Sequence, residues 1–468
     1  MRIRPAGSWH AVVEGAEHRR RYGSASTIVV LRVVRSRLSD WYDHDLDAGT
    51  MTAMQTYRPR VGDAELIDRL AAQGAVLIEG SKACGKTETA RQVAASEVLL
   101  DVDANAREAA LTDPSLVLAG EMPRLIDEWQ LEPAVWNHVR RWVDDRRGRF
   151  ILTGSAVPAD DVTRHTGAAR ISRLRMRPMS LYEAGRSTGQ ISLKELMGGV
   201  STQAPDPGLQ LDDLIDEVCR GGWPGFRDLA LAPARRAVRD YLDEVRRVDI
   251  NRVDGVTRDP ERVRRLFQSL ARNTATRAPV TTLAADAAGP GSTMTERTAR
   301  EYLAALTRLM VVEDQPSWTP HLRSRADVRT TSARHFVDPS LAVAALGATP
   351  EQLLRDLKMF GLLFESLVVR DLRIYAQAFD GRVKQYRDNK GVEVDAIVET
   401  DDGRWAAFEV KLAPGRIQEG ADGLRAFAAK IDTIRSGEPA VLGVITGSGY
   451  GYVREDGIHI IPIGALRP

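Results

Sequence analysis

Gly80-Ser81-Lys82-Ala83-Cys84-Gly85-Lys86-Thr87 puts a lysine and a hydroxyl directly after the second glycine of a G-x-x-x-x-G-K-[ST] pattern. Such a loop binds phosphate, because its glycines let backbone N–H groups curl around the anion. Lys86 is then placed to reach the β- and γ-phosphates of a nucleotide, and Thr87 to hold Mg²⁺. Further along, Leu125-Ile126-Asp127-Glu128 is an apolar run that ends in two acids. Asp127 has the chemistry to complete a Mg²⁺ shell, and Glu128 that to polarise an attacking water. Leu152-Thr153-Gly154-Ser155 ends another apolar run in hydroxyls, either of which could sense the γ-phosphate or the water. A second constellation lies near the C-terminus: Glu365, then Asp395, then Glu409 and Lys411. Carboxylates that converge beside a lysine can bind a divalent metal and help activate water, the lysine stabilising developing phosphate charge.

Positioning these groups needs particular elements. Ala75-Val76-Leu77-Ile78 reads as a buried strand into the glycine loop, and Thr87 to Ala94 as the helix leaving it. That helix start adds a favourable dipole for anions. Val98 to Asp103 and Arg149 to Ser155 read as further strands of a parallel sheet, whose ligands collect at the strands' carboxyl ends. Arg170 follows as a cation for the transferring phosphoryl group. The plainer readings are a surface turn at residues 80–87 and a solvated strand edge at Asp127-Glu128. At the C-terminal end, Glu365 has Gly361, Leu362, Val368 and Val369 as helical neighbours, so its carboxylate needs a partner or a task. Period two puts Glu393 and Asp395 on one strand face, and Glu409 and Lys411 share a face with Trp405 and Ala407. If Asp401-Asp402-Gly403 is a three-residue hairpin loop, Thr400 pairs with Arg404 and Asp395 lies opposite Glu409. A surface hairpin of ion pairs is the alternative.

The chain has 468 residues and a net charge of +1, so no global basic field announces nucleic acid. Its two cysteines, Cys84 and Cys219, exclude a disulfide framework and a cysteine metal site. No apolar run approaches the ~20 residues of a membrane span, which gives the expectation of a cytoplasmic protein without a membrane partner. Five segments are expected: an atypical extension over 1–50, a phosphate-loop core over 51–186, a linker and helical lid over 187–255, a winged-helix-like segment over 256–325 and a last α/β domain over 330–468. The arginine-rich extension reads either as a gene-boundary artefact or as a poorly ordered leader. Gly221-Gly222-Trp223-Pro224 marks a tight turn, followed by a long helix from Pro233 to about Val253. Three short helices and a strand pair give the winged-helix expectation, with Arg297, Arg300 and Arg308 available to phosphate.

The phosphate loop, Leu125-Ile126-Asp127-Glu128, Leu152-Thr153-Gly154-Ser155 and Pro178-Met179-Ser180-Leu181-Tyr182-Glu183 together resemble the prokaryotic AAA-type ATPases with a C-terminal DUF4143 region. The resemblance runs from about Tyr57 to the C-terminus. It implies an α/β fold with a P-loop NTPase parallel-sheet core, ATP and Mg²⁺ as cofactors, ATP hydrolysis, and a homo-oligomer. Family members commonly carry Gly-Arg where this chain has Ala169-Arg170, the arginine-finger position. Asp395 followed by Glu409-x-Lys411 resembles the PD-(D/E)xK, restriction-endonuclease-like fold. By that resemblance Asp395 and Glu409 are metal ligands, Lys411 assists catalysis, Glu365 supports the metal, and DNA is a partner. Two functions follow as expectations: ATP-controlled nucleic-acid cleavage, or an ATP-driven conformational switch whose nuclease-like domain is catalytically silent.

Overall fold

A computed structural model describes residues 57–154, 166–289, 293–320 and 331–468; the 1–50 extension and Ser155 lie outside these. Five parallel strands form the first sheet: β1 (Ala75–Glu79), β2 (Ser96–Leu99), β3 (Arg124–Asp127), β4 (Phe150–Gly154) and β5 (Ile171–Arg175). Their order is β2-β3-β4-β1-β5, the parallel-sheet α/β core of a P-loop protein. β1 and β4 are buried along nearly their whole length, as a parallel strand covered on both faces should be. Helix α1 (Gly62–Gln73) lends Leu66 and Leu70 to one face, beside Val76 and Ile78. On the other face Leu77 and Leu152 meet Val135, Trp136 and Val139 of α4 (Ala134–Asp144). β2 is shorter than the sequence expects. The chain leaves the sheet at Leu99 because Asp103 caps α3 (Ala104–Thr112), its carboxylate accepting the Ala106 N–H at 3.0 Å. The loop helix α2 (Lys86–Arg91) is likewise shorter than expected.

The middle of the chain is helical. α5 (Leu211–Arg220) precedes the Gly221-Gly222 turn, and α6 (Leu231–Glu244) begins two residues before Pro233. A π-helical turn, Val245–Asp249, continues it into Ile250–Arg252. α7 (Pro260–Arg272), α8 (Val280–Ala288) and α9 (Glu296–Arg308) follow, then the antiparallel pair β6 (Val312–Gln315) and β7 (Ala333–Phe336). On α9 the exposed Arg297 and Arg300 pair with Glu301 and Glu296 of the same helix, and Arg308 donates to the Val253 carbonyl at 2.7 Å.

The last region holds α10 (Pro339–Leu346), α11 (Leu357–Gln377) and α12 (Ile417–Ala428) around a mixed sheet. Its strands are β8 (Arg382–Arg387), β9 (Glu393–Glu399), β10 (Trp405–Lys411), β11 (Val441–Thr446), β12 (Tyr452–Val453) and β13 (His459–Pro462), in the order β12-β13-β11-β10-β9-β8. Ala406 and Phe408 face a core shared with Phe364, Leu367 and Val368 of α11, while Trp405 and Ala407 pack with Leu424 and Phe427 of α12. The first of these cores also takes in Val218, Val238, Leu266 and Leu306. The helical middle and the C-terminal region are therefore built around one continuous apolar interior.

Candidate functional sites

Strand register brings the phosphate-site residues together. Glu79 at the end of β1 lies level with Gly154 on β4, and Thr153 level with Asp127 on β3. The glycine loop therefore starts at the same sheet edge as the two acids, although β4 separates their strands. Thr87 Oγ1 donates to Asp127 at 3.1 Å, and the Thr153 hydroxyl also donates to Asp127, which is only 8% exposed. Lys86 is buried and bends back on its own loop, Nζ donating to the Gly80 and Ser81 carbonyls at 2.9 Å each. Two turn positions need glycine. Gly85 has φ 102°, and a Cβ on Gly80 would stand 2.5 Å from the Met176 carbonyl oxygen. Ala83 takes a left-handed conformation as well, at φ 59°.

Residues that sequence reading passed over hold the loop in place. Arg60 is buried in an ion pair with Glu183 at 3.1 Å and donates to the carbonyls of Cys84 at 2.8 Å and Arg177 at 2.7 Å. Burial opposes its charge, and the Glu183 carboxylate together with Cys84 and Tyr57 more than offsets that. Lys82 pairs at 2.6 Å with Asp249, a buried carboxylate in the π-helical turn after α6. Pro224 of the glycine turn comes within 3.4 Å of where a Cβ on Gly85 would stand. The signals were present as Tyr57-Arg58-Pro59-Arg60 and Ser180-Leu181-Tyr182-Glu183, but nothing local pairs residues 123 positions apart.

Glu128 follows Asp127 with φ 51°, a left-handed conformation rare outside glycine. It leaves the strand there and accepts a hydrogen bond from Gln130 Nε2. Gln130 also crowds Gly154, where a Cβ would meet its side-chain oxygen. Arg170 lies apart from these residues. It precedes Ile171, which pairs with Ala75, the first residue of β1. That is the amino edge of the sheet, opposite the phosphate loop, and Arg170 is tied there to Asp144 at 2.8 Å. It does not reach the phosphate cleft of its own chain.

The hairpin register is the expected one. Ala396 pairs with Phe408 and Glu399 with Trp405, the Thr400 N–H donates to the Arg404 carbonyl at 2.9 Å, and Gly403 has φ 84°. β9 then breaks its alternation against β8 between Val394 and Ile397, a bulge that contains Asp395. Asp395 Oδ2 accepts the Val410 N–H at 2.8 Å, while Glu409 takes Lys411 Nζ at 2.8 Å. Burial, then the neighbouring Asp395 and Glu409, raise the Glu365 carboxyl well above the usual range. Burial and then Asp395 push Glu409 up to about 8, with Lys411 opposing. Burial also raises Asp395. The four side chains thus share one electrostatic neighbourhood. They do not make a metal cage: among the described residues no group of three or more His, Cys, Asp or Glu is placed to hold a metal ion. The expectation of Glu365, Asp395 and Glu409 as joint ligands is corrected accordingly, because Asp395 and Glu409 are turned to an amide and to Lys411.

Three segments match family models: residues 72–185 an AAA domain, residues 211–352 a domain of unknown function, DUF8612, and residues 360–466 another, DUF4143. No curated protein matches the chain. Among solved structures, the Walker-type ATPase of Pyrococcus abyssi is similar at 13% identity with a TM-score of 0.37, over 64% of this chain and 99% of that one. No helix among the described residues is long and apolar enough to cross a membrane.

Proposed function

The chain is an AAA-type ATP-binding protein with a C-terminal DUF4143 region, and on that premise we propose that it hydrolyses ATP and uses the cycle as a conformational switch. One observation carries the reading: the hydrogen bond between Thr87 and the buried Asp127, beside a loop with no room for a Cβ at Gly80 and a left-handed backbone at Gly85. Hydroxyl and carboxylate oxygens held this way are the hard donors that suit Mg²⁺. Thr87 and Asp127 would hold that ion, which would supply positive charge against the phosphates. Lys86 leaves the carbonyls of Gly80 and Ser81 for the phosphates. Thr153 keeps the Asp127 carboxylate oriented. Glu128, released from Gln130, accepts the proton of the attacking water. ATP turnover and ATP binding by Glu128→Gln test the assignment. Affinity is expected to stay within about threefold of wild type, while turnover falls about 10²–10⁴-fold. Turnover at the wild-type rate would overturn it.

The switch reading rests on how α11 grips the neighbourhood of the phosphate loop. Arg370 is buried between Asp338 and Asp371 at 2.7 Å each. Asp338 accepts the Gly222 N–H and Asp371 the Leu181 N–H, both at 2.9 Å. Gly222 and Leu181 belong to the segments that frame the loop through Pro224 and Glu183. For the DUF4143 region we favour recognition of a nucleic-acid or protein partner over cleavage, because Asp395 and Glu409 are already engaged by Val410 and Lys411. The winged-helix-like segment is proposed as a docking element, since the cations of α9 are matched by acids on the same helix. Incubating wild type and Asp395→Ala with plasmid, Mg²⁺ and ATP separates the readings. Recognition predicts intact plasmid with both chains; nicking by wild type alone would show cleavage.

A further inference from the structure

A cavity of about 480 Å³ opens where α1, the end of β5, β6, the last turn of α11 and the start of β8 meet. It belongs to neither constellation described above. Arg69, Arg173, Arg175, Arg177, Arg373 and Arg382 line it, against the acids Glu65, Glu313 and Asp314. At its base three guanidiniums converge on one buried carboxylate. Arg175 bonds Glu313 Oε1 at 2.7 Å, and Arg177 and Arg373 bond Oε2 at 2.9 Å each. The three carry about fifteen N–H donors, whereas Glu313 offers them two oxygens. Arg177 adds a long contact to Gln377 and Arg373 one to the Asp314 carbonyl. On the rim Arg69 pairs with Glu65, Arg173 with Glu79 and Arg382 with Asp401, so those charges are individually matched. The base is not matched: it holds three cations and one anion in a region where Arg373 is almost fully enclosed. Burial, with Arg177 and Arg175 close by, brings the Arg373 guanidinium down to about 10. Uncompensated buried charge is costly, and an anion that brings its own oxygens removes the cost.

We propose that this cavity is a binding site for a small, multiply charged phosphate compound of the inorganic phosphate and pyrophosphate class, held by its oxygens. The planar forks of Arg175 and Arg177 suit bidentate phosphate recognition. The volume lies in the range of small-ligand pockets. None of the lining side chains is aromatic, so there is no platform on which a nucleobase would stack. The occupant would tie β5 of the AAA domain to β6 and to α11 of the DUF4143 region.

Isothermal titration of pyrophosphate into the full chain carrying Lys86→Ala tests this apart from the phosphate loop. We expect saturable binding with a Kd below about 1 mM, weakened about tenfold or more by Arg175→Gln and by Arg69→Glu on the same background. Arg69 is on the rim, so Arg69→Glu decides alone if Arg175→Gln fails to fold. Absence of saturable binding, or binding that neither variant weakens, would overturn the site. A single-stranded oligodeoxynucleotide that binds more tightly than pyrophosphate and is weakened by the same variants would overturn the small-anion assignment. Failure here would leave the Glu128→Gln outcome untouched.

Discussion

Glu409 sits at about 8 because burial and Asp395 both disfavour its charge, and that has a consequence for stability. Its unfolded carboxyl ionises near the model-peptide value of ~4.3, so between that pH and about 8 the folded chain holds more protons than the unfolded one. Stability must then fall as pH rises through this window, and the penalty is complete above about 8. Glu409→Gln should therefore raise Tm more at pH 8.5 than at pH 5 in metal-free buffer. Thermal melts at the two pH values check this, and an equal shift at both would contradict the assignment. The residues of this cluster were legible from type, spacing and turn chemistry, because the Gly403 turn fixes a register that runs from Glu399 against Trp405 to Ala396 against Phe408. The bulge before Ile397 was not, since alternation reads the same on both sides of it. Asp395 lies within it.

Among the elements, the Gly221-Gly222 turn reads in sequence as little more than a helix stop. In the structure it is a fitted joint. The Gly222 carbonyl accepts the Met179 N–H at 2.6 Å, and its own N–H goes to Asp338. A Cβ there would stand inside the Met179 backbone. Gly222→Ala should destabilise by about 1–3 kcal/mol through overpacking, measured by urea unfolding; a change within about 0.5 kcal/mol would remove the joint from the account. The π-helical turn after α6 was equally illegible: it ends in Asp249, whose partner Lys82 lies far away in sequence. Asp249→Asn frees Lys82 while keeping the side chain's shape, and should change ATP affinity without abolishing turnover. Identical affinity in a titration of both chains would show that the latch does not bear on the nucleotide. The strands and helix of the phosphate core, by contrast, follow from local patterns: an apolar run, a glycine loop and a helix start.

At the scale of the molecule, the sequence divides into segments by composition, whereas the structure joins them through contacts that no window can contain. Leu181 meets Asp371 across 190 positions and Gly222 meets Asp338 across 116. These ties place the DUF4143 helix against the frame of the phosphate loop, which is how a change at the nucleotide would be felt elsewhere. Such a switch requires that ATP sit in the loop at all, gripped by backbone amides and Lys86, with Asp127 across the same cleft. ATP affinity of wild type and Lys86→Ala, titrated side by side in Mg²⁺, tests that most directly. The account predicts that Lys86→Ala weakens binding about tenfold or more, the scale of a charge-assisted contact to phosphate. ATP bound equally well by both chains would contradict it.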